Sequence, residues 1–205
     1  MNHKIQSVQT LYDDAVRLFK VGVMGSDPAS ADTIINNLGQ AINILKGCWE
    51  GKDAGVQINN IVTVFNGMVV VRNALSELAA DSSKIASNYR GIQNSNGAGL
   101  ESLTPLVADE KTKLPEYVDS RDTISITPEA NNGKARLDAA AGAMPAFISS
   151  VNASYEKIMN NWTVGTGRDK ARNAFDTFMA NSKRYNQILD EVSQSITNAV
   201  KNYSF

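Results

Sequence analysis

Apolar residues recur along this chain in two matching sets, each ending on a tryptophan. Counting back from Trp49 by 4, 7, 11, 14, 15 and 18 positions gives Leu45, Ile42, Leu38, Ile35, Ile34 and Ala31. The same steps back from Trp162 give Ile158, Tyr155, Val151, Ile148, Phe147 and Met144. Twelve apolar or aromatic residues at one helical spacing predict two helices that bury the same face. A glycine-bearing turn follows each one, Trp49-Glu50-Gly51 and Trp162-Thr163-Val164-Gly165-Thr166-Gly167, with a second helical arm beyond it. The first return arm, capped by Asp53 and running to about Tyr89, carries Ile58, Ile61, Val62, Phe65, Met68, Val69, Leu75 and Leu78 on one face. Arg72 interrupts that face and is expected to reach out to its edge. The second return arm, capped by Asp169, carries Ala171, Phe175, Phe178, Met179, Tyr185, Leu189, Val192, Ile196 and Tyr203.

The arms also match from their far ends, where Asn88-Tyr89 answers Asn202-Tyr203. The pattern therefore predicts an all-α fold, two tandem helical hairpins packed as an elongated antiparallel four-helix bundle. Residues 1–90 form the first hairpin, 91–127 an inter-repeat linker and 128–205 the second hairpin. Ahead of the first arm, a helical pattern from about Asn2 to Val23 is broken at Gly25-Ser26-Asp27-Pro28, where Asp27 and Pro28 read as an N-cap and first helical residue. That adds an extra or kinked N-terminal helix. The linker opens on Asn94-Ser95-Asn96-Gly97-Ala98-Gly99, a turn or loop, and holds one strand-like run, Thr123-Ile124-Ser125-Ile126. Thr127-Pro128-Glu129 then starts the next helix, with a kink or restart expected at Gly142 and Pro145.

Glycine supplies the backbone freedom that a tight reversal needs, and tryptophan fills the wedge between two separating helices. Trp49, Gly51, Trp162, Gly165 and Gly167 are thus read as the turn motif, packing the bends and, in a sharper reading, offering a handle to another protein.

Composition narrows the remaining choices. The formal net charge of −1 over 205 residues leaves no electrostatic footprint for nucleic acid. A single cysteine, Cys48, and a single histidine, His3, give no intramolecular disulfide, no cysteine metal cluster and no convincing nucleophile–base pair. Glu50 and the Asp13-Asp14 pair lack acid–base partners by spacing, so neither enzymatic activity nor a cofactor is expected. The N-terminus lacks the pattern of a cleaved secretory signal. No uninterrupted apolar run reaches the ~18–20 residues of a membrane span, since Met68-Val69-Val70-Val71 stops at Arg72.

An arm of about forty residues, Trp-x-Gly at a tight turn and a second arm of similar length together resemble the Trp-x-Gly (WXG, ESAT-like) family of helical-hairpin proteins. Members are substrates of bacterial type VII secretion that pair as antiparallel hairpins. The resemblance covers about 28–90 and 128–205, with the stricter motif in the first unit and Trp162-x-x-Gly165 in the second. It implies a monomer whose two hairpins form an intramolecular pseudo-dimer. It also implies protein partners, such as a secretion ATPase or a helical co-substrate, and secretion without a cleaved signal peptide. The family's export motif is a tyrosine with an acidic residue four positions on. Here Tyr89 meets Gln93 at that step, Tyr185 has Asp190 one position too far, and Tyr203 lies two residues from the end. Tyr185, Asp190 and Tyr203 are the export or partner-recognition residues that the resemblance points to. The primary reading is a non-enzymatic secreted substrate or adaptor. A cytoplasmic scaffold or chaperone for a larger toxin or secreted partner, and a membrane-active helical protein, are the alternatives.

Overall fold

The computed structural model describes residues 7–162 and 166–203. His3, Gly165 and the other residues of the second turn up to 165 lie outside them. Helix α1 (Val8–Arg17) starts on Ser7, whose hydroxyl accepts from the Thr10 amide, and passes into a π-helical segment at Leu18–Val23. The sequence pattern carried no signal for that widened turn. Gly22 lies within it, against Val151 of the facing helix. Helix α2 (Ala31–Cys48) is capped by Ser30 and not by Asp27. The Asp27 carboxylate instead accepts from the Ala29 amide and closes the turn just before the helix, which is the local competition that Asp side chains offer a backbone. Strand β1 (Trp49–Glu50) and helix α3 (Lys52–Ser95) follow.

Beyond an extended segment come β2 (Ser125–Ile126), α4 (Ala130–Asn161) and α5 (Thr166–Tyr203). Gly51 occupies the cap position of α3, and Asp53 lies in its first turn. Asp169 likewise sits inside the first turn of α5. Helix α4 runs through Pro145 without restarting. Helix α3 continues six residues past Tyr89, to Ser95.

Two hairpins, α2–α3 and α4–α5, pack into an antiparallel four-helix bundle, with α2 on α4 and α3 on α5. β1 pairs antiparallel with β2, Trp49 opposite Ile126, so α4 begins at the bend of the first hairpin. At the other end, the Asn161 side chain closes α4 onto the start of α1, accepting from the Ser7 amide at 3.1 Å and donating to its carbonyl at 3.0 Å. The bends therefore lie at opposite ends. Of the twelve residues aligned on the two tryptophans, all but half-buried Ile148 are in the core.

On α5 the match is looser, because Met179 and Tyr203 face outward. Helix α3 contains an 18-residue window long and apolar enough by composition to cross a membrane. The interrupted-run reading missed it, because charge is sparse there even though no run is unbroken. More than half of that window, 56%, is buried within the bundle.

Arg72 does not reach the edge. It is fully buried, its guanidinium 2.9 Å from Asp32 of α2 and 2.5 Å from Asp109 of the extended segment. Burial would lower its pKa, but hydrogen bonds and charge from Asp32 and Asp109 outweigh that and hold it above the ordinary arginine value.

Candidate functional site

The first bend is built from three parts of the chain. Trp49 leaves α2 in an extended conformation (φ −134°, ψ 123°) with 3% of its surface exposed. Gly51 follows with φ +113°, a region that side chains of L-residues rarely enter. A Cβ there would also collide with the Thr123 carbonyl oxygen. The Gly51 amide donates to Asp119 Oδ2 at 3.0 Å, and Arg121 joins Asp119 (2.7 Å) to Glu50 (2.6 Å). The end of the extended segment thus forms a charged clip over the bend.

The Arg121 side chain, then the Gly51 amide, hold the Asp119 carboxyl well below the usual carboxylate range. The group's folded pKa is depressed. Its stabilising contribution is therefore fully present above the unfolded value near pH 4 and is lost as pH falls through the folded one. Acid titration of the fold should show a loss below about pH 4 that Asp119→Asn removes.

The two turn glycines differ in kind. Gly51→Ala should cost about 1–3 kcal/mol from its backbone alone. At Gly167 a Cβ would meet only the Asp81 carboxylate, the far end of an exposed side chain that can swing away. Gly167→Ala should stay within about 1 kcal/mol of the parent, since alanine favours a first helical turn. Urea midpoints of the two variants check both values.

Cys48 is buried beside Trp49, and burial, with Glu129 nearby, raises its thiol pKa. Trp162, at the opposite end, is 2% exposed, and its indole N–H has no hydrogen-bond partner among the described residues.

Tyr185, Asp190 and Tyr203, the residues expected to serve export or partner recognition, fall in three different environments. Tyr203 is 46% exposed and borders a cleft of about 240 Å³ with Trp49, Asp53, Gln57, Asn198 and Asn202. The end of α5 thus meets the bend of the other hairpin. Tyr185 is half-buried, stacked near Phe178 with its hydroxyl over Gly67 of α3, and burial raises its pKa. Asp190 is exposed on a groove with Asp138, Gly142 and Asn186. The structure brings Trp49 and Tyr203 together; Tyr185 and Asp190 line separate surfaces. The clip residues Asp119 and Arg121 escaped the sequence reading, since nothing in a polar tract ties two charges to a turn 70 residues earlier.

Residues 124–204 match the WXG100 family, described as proteins of 100 residues with WXG. No curated protein and no solved structure matches the chain. The match falls on the second hairpin, the one with the looser Trp-x-x-Gly turn. Over this segment, about two-fifths of the chain, the sequence is similar to the WXG100 family.

Proposed function

We propose that the chain is a non-enzymatic substrate or adaptor of a type VII secretion system. It acts by protein–protein contact and is exported without a cleaved signal peptide. The observation that carries this reading is the family match over 124–204, set on a chain that already holds a second hairpin. Family members pair two hairpins from two chains, whereas here α2–α3 fills the partner's place against α4–α5. We read the pair as two family units fused in tandem, and the protein as a monomer carrying its own pseudo-dimer.

Its contact surface is the bundle end where Tyr203 and Asn202 of α5 border the Trp49 bend. The tryptophan ring itself is packed inside. A partner, such as the secretion ATPase or a helical co-substrate, would therefore read the cleft rim and the exposed end of α5.

In the native host, the protein should appear in culture supernatant and stay in the cell when the secretion ATPase is deleted. Tyr203→Ala should reduce export several-fold while leaving the helical signal and melting temperature of purified protein unchanged. Retention in the cell with the ATPase intact would overturn the reading in favour of a cytoplasmic scaffold.

A further inference from the structure

The segment between the hairpins lies along α3 in a regular way. Asn59, Asn66 and Asn73 stand seven residues apart on the helix, and each clasps the main chain of one residue in the segment. Asn66 accepts from the Leu114 amide at 2.8 Å and donates to its carbonyl at 2.9 Å. Asn73 does the same to Lys111 at 2.9 Å and 2.9 Å, and Asn59 does so to Tyr117. Seven helical residues are matched to three extended ones.

The ladder shifts register at Glu110 and again between Ser83 and Ser87, where four helical residues match three extended ones. Ser76 accepts from the Asp109 amide, Ser83 accepts from the Leu106 amide, and Ser87 donates to the Leu103 carbonyl. Asn94 clasps Leu100, both bonds at 2.8 Å. From Asn59 to Asn94 the helix advances about 52 Å at ~1.5 Å per residue. From Tyr117 back to Leu100 the segment advances about 53 Å at the ~3.1 Å rise of polyproline II. The two lengths agree.

The clasping side chains grip N–H and C=O groups, which every residue except proline offers. What the ladder selects is conformation and spacing. Leu103, Leu106, Leu114 and Tyr117 turn toward the core from this segment but remain half-exposed, and Val107 and Val118 face outward, 81% and 75% exposed. At three places the surface asks for a particular chemistry: Arg72 meets the Asp109 carboxylate, Asp32 faces the Lys111 ammonium at 3.8 Å, and Lys46 lies over the Tyr117 ring.

We propose that the outer face of α3 is a binding site for extended peptides, and that residues 100–117 are its occupant in cis. The ligand is a polyproline-II-like segment with two runs of large apolar residues spaced by three, as in Leu100-Leu103-Leu106 and Leu114-Tyr117, and between them a carboxylate facing Arg72. A partner protein presenting such a segment would bind by displacing the resident strap. This site is separate from the bundle end proposed as the secretion contact, and neither depends on the other.

The test uses the full chain cut once, at a protease sequence inserted between Gly97 and Ala98, where the chain is exposed. The probe is a fluorescein-labelled peptide of residues 99–117. The cut chain should keep its helical signal and bind the peptide saturably, whereas the uncut chain should bind far less. Asn66→Ala in the cut chain should weaken binding about tenfold or more, because two main-chain hydrogen bonds are lost. A peptide with Leu103 exchanged for Ser102 and Leu106 for Pro105 breaks the three-residue repeat and should not bind.

Loss of helical signal on cutting, absence of saturable binding, or equal binding of the exchanged peptide would each overturn the proposal. In the uncut chain, Asn66→Ala should remove amide-exchange protection at Leu114 and leave α3 protected. Joint loss along the strap and α3 would mean the strap is part of the fold and not a ligand.

Discussion

Arg72→Ala is expected to destabilise the protein by about 3–5 kcal/mol, the cost of removing one member of a buried ion pair. The argument rests on what is left behind. Arg72 is fully buried and meets Asp32 of α2, only 18% exposed at its side chain, as well as Asp109 of the strap. Without the guanidinium, Asp32 keeps a mostly buried carboxylate with only Lys111, at 3.8 Å, to answer it. Asp109 is half-exposed and can turn to water, so most of the penalty comes from Asp32.

The same physics predicts a rescue. In the double variant Arg72→Met with Asp32→Leu, both charges are gone and the volume is largely kept, so stability should return to within about 1–2 kcal/mol of the parent. Urea denaturation of the four proteins in that cycle measures the coupling. A single Arg72→Met variant no less stable than the double one would show that Asp32 escapes to solvent. Arg72 also donates to the Asp109 main-chain carbonyl, so amide protection of the strap near Asp109 should fall in the single variant and stay low in the double.

This residue also marks where the sequence stopped being legible. The bundle itself was readable because four amphipathic arms each repeat their apolar face with one period, and the core is made of those faces. Arg72 broke the pattern for a reason the pattern cannot express. Helix α3 is buried on two sides, one against α5 and α2 and one under the strap, and the second side is polar. Asn59, Asn66 and Asn73 at heptad spacing, and Leu103, Leu106, Leu114 and Tyr117 at three-residue spacing, were visible as letters. Read separately, the first looks like a solvated helix stripe and the second like a proline-bearing loop. Only together do seven-residue and three-residue repeats make one ladder.

The two-residue β1–β2 pairing lay within the expected strand run Thr123–Ile126, yet its partner was the Trp49 bend. No local propensity could name that partner. The π-helical turn at Leu18–Val23 and the choice of Ser30 over Asp27 as cap are settled by packing against α4 and by hydrogen bonds at Gly25 and Thr33. At the bend, Trp49 and Gly51 were found from spacing alone, whereas the charges that fasten them came from distant sequence.

Trp49→Ala and Trp162→Ala should each cost about 3–5 kcal/mol, as expected for emptying a large buried ring site. Phenylalanine at each position then separates them. The Trp162 indole N–H is buried without a partner among the described residues, a defect that carries a desolvation penalty of about 1–3 kcal/mol. Phenylalanine fills most of the same space and removes that donor. Trp162→Phe should therefore be close to neutral, with the smaller ring offset by the missing orphan. Trp49 borders an open cleft with Tyr203 and lacks a buried orphan, so Trp49→Phe loses packing with no such compensation and should be the less stable of the two. Thermal melts of the four variants decide it, and a Trp162→Phe protein as unstable as Trp162→Ala would show that ring size, not the unpaired donor, controls that bend. The comparison also bears on secretion. If Trp49 acts only by holding the bend, Trp49→Phe should lower export no further than a core variant of equal stability, such as one at Leu38. A larger fall at equal stability would mean that a partner senses the bend itself.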